Sequence, residues 1–164
     1  MTIYHLEMCD REAFRPKAAP LGFEVAMVAP PNLELNRRFY CDVGSQWAWT
    51  DRLTWSEDDW HHYVHRDALR TWVGQLHDKS VGYFELESQD DSNIEIAYFG
   101  LLPEFIGRGM GGPLLSAAIE CAWDVPDTQR VWVHTCTLDH KHALDNYRKR
   151  GFEIFKTEHE HEQA

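Results

Sequence analysis

The stretch Leu101-Leu-Pro-Glu-Phe-Ile-Gly-Arg-Gly-Met-Gly-Gly-Pro-Leu-Leu115 restricts what this chain can fold into more than any other. Gly107, Gly109, Gly111 and Gly112 let the backbone turn sharply and come close to a ligand without side chains in the way. A strand-like run, Ile94 to Leu101, precedes them, and an apolar helix, Pro113 to Trp123, follows. Pro113 suits a first helical turn, where its missing N–H has no intrahelical partner to lose. The free N–H groups of that turn point back at the loop, which makes the junction a natural anion site. Arg108 adds positive charge in acidic surroundings: no Lys or Arg lies between Lys79 and Arg108, whereas Glu85, Glu87, Asp90, Asp91, Glu95 and Glu104 do. A P-loop would need Gly-Lys-Ser/Thr, and Gly112 is followed by Pro113 and Leu114. Gly107 to Gly112 formally matches G-x-G-x-x-G, but the repeated βαβ context of a dinucleotide fold is missing.

Around this loop the chain reads as alternating strand and helix signals. Ile3 to Met8 and Phe23 to Val28 have strand composition, joined by a charged, Pro-containing connection. Apolar residues at helical spacing follow from Asn32 to Trp49, and Ser56 caps a second helix whose first turn carries Glu57, Asp58 and Asp59. Leu69 to Leu76 and Val81 to Leu86 form a hairpin around residues 77–80. Arg130 to Cys136 reads as a strand, Ala143 to Lys149 as a short helix and Phe152 to Lys156 as a closing strand. The order ββααβββαβαβ predicts an α/β (α+β) sheet covered by helices. At 164 residues one domain is expected over 1–164, with an N-terminal strand and connection over 1–22 and a flexible acidic tail over 157–164.

A net charge of −11 disfavours nucleic acid and anionic membranes as partners. Cys9, Cys41, Cys121 and Cys136 are widely spaced, with no C-x-x-C pair and no basic-then-apolar leader, which reads as reduced thiols in a cytoplasmic protein. No uncharged run approaches the ~20 residues of a membrane span.

With its flanks, the loop resembles the coenzyme A site of the GCN5-related N-acetyltransferases (GNAT superfamily), whose pattern is Gln/Arg-x-x-Gly-x-Gly/Ala after an apolar-x-Pro element. Leu101-x-Pro103 supplies that element and Arg108-Gly109-Met110-Gly111 the core; the initial Gln/Arg falls on Ile106, so that side-chain contact is missing. Ala143-Leu-Asp-Asn-Tyr147-Arg-Lys-Arg-Gly151-Phe152 is similar to the family's A-x-x-x-Y-x-x-x-G-F helix and turn, and the Asn common before it falls on His140. The element order matches from Phe23 to Phe155. The resemblance implies a mixed, mostly antiparallel twisted sheet of six to seven strands flanked by about four helices.

It also implies direct transfer of an acetyl group from acetyl-CoA to a primary amine in a ternary complex, with no metal. Backbone amides of Gly107 to Gly112 would hold the pyrophosphate, with Ile106, Arg108 and Met110 in the same loop, while groups at Leu101 and Leu102 would bond the pantetheine arm and His140 and Tyr147 would border it. Tyr147 matches the family's proton donor to the leaving thiolate. The attacking ammonium must first lose a proton, and Glu95 and His134 both qualify as the base.

In relatives the helices after the first strand shape the acceptor pocket. Here that region holds Trp47, Trp49, Trp55, Trp60 and Trp72, with Tyr40, Asp51 and Arg52, a composition suited to a small cationic amine. Two other functions stay open: a non-catalytic acyl-CoA sensor, favoured by Ile106, and a protein or peptide N-acetyltransferase. His61, His62 and His65, and the pair His159 and His161, lack the partners of a metal motif, and Cys136 is read as a strand residue. By analogy with the family, a homodimer is an assembly open to the chain.

Overall fold

A computed structural model describes residues 1–45, 47 and 49–160. It contains β1 (Thr2–Met8), β2 (Phe23–Met27), α1 (Leu33–Gly44), α2 (Glu57–Val64), β3 (Leu69–Leu76), β4 (Lys79–Gln89), β5 (Asn93–Leu101), α3 (Gly111–Asp124), β6 (Arg130–Cys136), α4 (Ala143–Lys149) and β7 (Glu153–His159). The seven strands form one sheet in the order β2-β3-β4-β5-β6-β1-β7. Every neighbouring pair is antiparallel except β5 and β6, so the sheet is mixed and mostly antiparallel, with four α-helices, as the resemblance implies.

The boundaries follow local chemistry. The Asn32 side chain accepts from the Leu35 N–H at 3.3 Å and starts α1. The helix stops at Gly44 rather than running to Trp49, because Trp49 folds back onto the glycine: a Cβ there would lie 2.6 Å from the indole. Ser56 and Asp59 form a reciprocal capping box on α2, with Asp59 N–H to Ser56 Oγ at 3.1 Å and Ser56 N–H to Asp59 Oδ2 at 2.9 Å. The β3–β4 hairpin turns through His77 and Asp78, both in left-handed backbone, the twist that a two-residue hairpin needs. β4 extends past Leu86 to Gln89, since its carboxylates are paired rather than exposed. β7 continues to His159, and Glu160 donates its N–H to the Met1 carbonyl, so residues 157–159 belong to the sheet instead of a tail; His161 lies outside the described residues.

α3 and α4 cover one face. Leu114, Leu115, Ala118, Ile119 and Ala122 of α3 are fully buried against Leu6, Phe84, Leu86, Ile96, Val131 and Val133. On the other face α1 and α2 cover only the β3–β5 side, and Arg52, from the loop between them, enters the interior. Its guanidinium reaches Glu85 of β4 at 3.3 Å, with the pair 4% and 0% exposed. Asn36 and Tyr63 donate to the same carboxylate at 2.9 and 2.8 Å. Tyr63 and Tyr98 each hold the guanidinium 4.0 Å from a ring centroid, and Trp55 does so at 4.8 Å. No described helix is long and apolar enough to cross a membrane, and all four cysteines are free thiols.

Removing one partner of a buried pair strands the other charge. Arg52→Ala should therefore lower stability by about 3–5 kcal/mol, seen as a shift of the urea midpoint; a loss under about 1 kcal/mol would show that Glu85 finds other compensation.

Candidate active site

β5 and β6 pair in parallel over three positions only, Asn93 with Arg130, Ile94 with Val131 and Glu95 with Trp132, and then separate. A bulge at Ala97 bends β5 just there, since Leu86 pairs with Ile96 and Glu85 with Tyr98. The gap becomes a cleft of about 800 Å³ walled by β5, β6, the glycine loop and α4.

The loop behaves largely as its sequence indicates. Gly107 and Gly109 have φ of +82° and +76°, and a Cβ on either would meet nothing within 4 Å, so the backbone conformation, and not crowding, calls for glycine. No side chain caps the N-terminus of α3. Ile106, Gly107, Gly109, Met110, Gly111 and Gly112 line the cleft, as does Leu101. Met110 is also anchored in an apolar cluster with Val81 and Phe105. Leu102 does not reach the cleft; its side chain joins that same cluster, because its N–H bonds the Val81 carbonyl and turns the residue inward. Arg108 also faces elsewhere, exposed with its guanidinium 5.6 Å from the Phe105 ring. The cations that do line this end are Lys17, Lys149 and Arg150, and Asn146 donates to the Gly111 carbonyl at 3.1 Å. Sequence reasoning missed Lys17, Asn146 and Arg150. Asn146 and Arg150 sit inside the A-x-x-x-Y-x-x-x-G-F segment, a usable signal, whereas nothing local marks Lys17.

Tyr147 packs between Phe99 and Phe152, with ring centroids at 6.2 and 6.0 Å, and borders the cleft. Its hydroxyl bonds no described residue, and burial, reinforced by the Asp139 charge, raises its pKa well above the usual range. His140 also borders the cleft, edge-on to Trp47 at 5.3 Å. Burial, with the neighbouring His142 and Lys141, favours its neutral form. Asp139 accepts from Thr135 Oγ1 at 2.6 Å and from the Cys136 N–H at 3.0 Å, fixing the turn that leads to His140.

The two base candidates take different places. His134 lines the cleft with its side chain half exposed. Glu95 is not part of the cleft wall; at the last paired position it lies behind His134, Oε1 to Nδ1 3.7 Å, and Gln89 donates to its other oxygen at 2.9 Å. Burial lowers the His134 pKa, as does the charge of His5, against weaker upward pulls from Asp139, Asp51 and Glu158. Burial pushes the Glu95 carboxyl up, the Gln89 hydrogen bond opposes this, and the Glu87 charge adds to it.

At the far end only two of the five tryptophans, Trp47 and Trp49, line the cleft. Trp55 and Trp60 surround Arg52, and Trp72 stacks on Phe84 at 5.4 Å among the residues packed beneath α3. Asp51 is exposed to the cleft and accepts from Tyr40 at 2.9 Å and Tyr98 at 2.6 Å. No Lys, Arg or His among the described residues forms an ion pair with it. Among the described residues no group of three His, Cys, Asp or Glu side chains could hold a metal ion.

A mixed sheet that splays at one parallel pair, with a glycine loop and an uncapped helix facing the opening, is the GNAT fold. The sequence model of the Acetyltransferase (GNAT) family matches residues 32–152, and the chain belongs to that family. Among solved structures it is similar to a GCN5-related N-acetyltransferase from Kribbella flavida (17% identity, TM-score 0.70, covering 96% of this chain and 56% of that one). It is similar also to one from Sphaerobacter thermophilus (13%, 0.67, 95% and 49%). A third likeness is to an aminoglycoside acetyltransferase from an uncultured soil metagenomic sample (16%, 0.62, 79% and 87%). The chain thus spans about half the length of the first two. No curated protein matches it significantly.

Proposed function

We propose that the protein transfers an acetyl group from acetyl-CoA to a small primary amine that carries further positive charge. The observation that carries this reading is the polarity of one continuous cleft: Lys17, Arg150 and the glycine loop lie at one end, Asp51 and His134 at the other. The first end suits an anionic nucleotide, the second a cation. The likeness to an aminoglycoside acetyltransferase agrees with an amine acceptor.

Acetyl-CoA supplies the acyl group as a thioester; the protein holds, orients and handles protons. His134 is neutral at pH 7 because burial disfavours its charged form. His134 Nδ1 lies 3.7 Å from Glu95 Oε1, beyond hydrogen-bond reach, and in the tautomer that carries the proton on Nδ1 its Nε2 takes a proton from the acceptor ammonium. The neutral amine attacks the carbonyl carbon, the carbon–sulfur bond breaks, and Tyr147 donates its phenolic proton to the departing sulfur. Burial keeps that phenol protonated across the working range, so the proton is present when needed. Asp51 would hold a second cationic group, since a carboxylate on the reacting nitrogen would favour the ammonium, which cannot attack.

Thiol release measured with putrescine, cadaverine and spermidine against n-butylamine tests the reading. Turnover of the multiply charged amines is expected, and absence of coenzyme A binding in calorimetry would sink it. Coenzyme A binding with no turnover of any amine or peptide would instead mark a sensor. Asp51→Asn should raise KM for the diamines about tenfold, the loss of ~1.4 kcal/mol expected for one charge-assisted contact, and leave n-butylamine unchanged.

The rate should fall on the acid side as His134 gains a proton, below the ordinary histidine pKa near ~6.5 because the folded environment lowers it. His134→Gln should remove that acid limb and reduce kcat by about 100-fold; an unchanged pH profile would reassign the base. Tyr147→Phe should lower kcat by about 10- to 100-fold with KM for the amine little changed, the mark of a group acting on the leaving sulfur. An equal loss in binding alone would make it a packing residue.

A further inference from the structure

Lys17 and Arg150 come from opposite ends of the chain and meet over the first turn of α3. A Cβ built on Gly112 would lie 2.5 Å from Lys17 Cδ and 2.8 Å from Arg150 Nη1, so these two side chains occupy the space that any larger residue at 112 would claim. Both are fixed at the backbone. The Arg15 N–H donates to the Arg150 carbonyl at 2.9 Å, and the Lys17 N–H donates to Ser116 Oγ at 2.9 Å, which itself donates to the Gly112 carbonyl at 2.8 Å.

Charge is out of balance at this point. Arg150 Nε and Nη1 are enclosed without a hydrogen-bond partner, and neither Arg150 nor Lys17 pairs with a carboxylate among the described residues. The acidic Asp145 nearby is already paired with Lys149 at 2.8 Å. Two cations beside the positive end of an uncapped 14-residue helix repel each other and the helix dipole. Unpaired enclosed donors carry an uncompensated desolvation cost. In a chain with net charge −11 such a concentration of positive groups stands out, and an anion seated on the cleft side of Lys17 and Arg150 would cancel the repulsion.

We propose that Lys17 and Arg150 form a phosphate-recognising subsite for coenzyme A, supplied from outside the glycine motif. It replaces the polar contact that the motif loses at Ile106 and that Arg108, turned toward Phe105, does not provide. The inference rests on the acetyl-CoA reading above. The phosphoryl group is either the 3′-phosphate or the pyrophosphate of the coenzyme, and the two are separable by ligand choice.

The test is calorimetric binding of coenzyme A, dephospho-coenzyme A and pantetheine to the wild-type protein, Lys17→Ala, Arg150→Ala and Arg150→Lys. Lys17 is exposed, so its variant carries the test even if Arg150→Ala fails to fold. Each alanine variant should bind coenzyme A about tenfold or more weakly, with pantetheine unaffected and the deficit shrinking as salt is raised; Arg150→Lys should recover part of it. If the 3′-phosphate is read, dephospho-coenzyme A binds the wild type as weakly as coenzyme A binds the variants. If the pyrophosphate is read, both nucleotides lose affinity alike in the variants. Coenzyme A affinity within about twofold of wild type in Lys17→Ala overturns the subsite. No coenzyme A binding by the wild-type protein overturns the functional reading beneath it.

Discussion

Two neighbouring strands that begin in parallel register and part after three residue pairs create everything else in this molecule that bears on chemistry. Antiparallel neighbours could have stayed bonded along their length, but β5 and β6 run the same way and are bent apart at the Ala97 bulge. The opening exposes strand backbone on one side and points the α3 N-terminus into the gap. α3 can be held there firmly because its apolar face is wholly buried on the same sheet. The cleft is therefore a consequence of sheet topology, and its residues are carried on rigid elements instead of loose loops.

The second organising feature is the Arg52–Glu85 pair under the acceptor end. A buried ion pair is a weak source of net stability, but it does fix position. Here it ties the α1–α2 loop to β4, and the adjacent Asp51 is held by Tyr40 and Tyr98, whose rings pack against the same guanidinium. Burial raises the Tyr40 hydroxyl to about 12, so it remains a hydrogen-bond donor to Asp51. The negative end of the cleft is thus set by interior chemistry as well as by surface charge.

Local signals in the sequence account for much of this. The order of strands and helices, the Ser56 cap, the glycine loop and Tyr147 all follow from short-range chemistry: spacing, capping, backbone freedom or a compact motif. What did not follow depends on partners far along the chain. The tryptophans share one composition, yet two face the cleft, two surround Arg52 and one lies on the opposite face, because strand pleating and loop return decide side. Leu102 and Arg108 belong to the right loop but point away from the cleft, and Lys17 acquires its place through a bond to Ser116. Glu95 lies one step behind His134, a difference set by where the parallel pairing ends.

The position of β1 has a consequence for how the molecule can be divided. The span shared with the family begins at residue 32, yet β1 lies between β6 and β7 and bonds to both. A fragment limited to the shared span would leave β6 as a bare sheet edge, with unpaired N–H and C=O groups that favour aggregation. It would also lose Lys17. The recognisable motif region and the cooperative folding unit are therefore different objects, and any circular permutation or domain fusion has to respect the second.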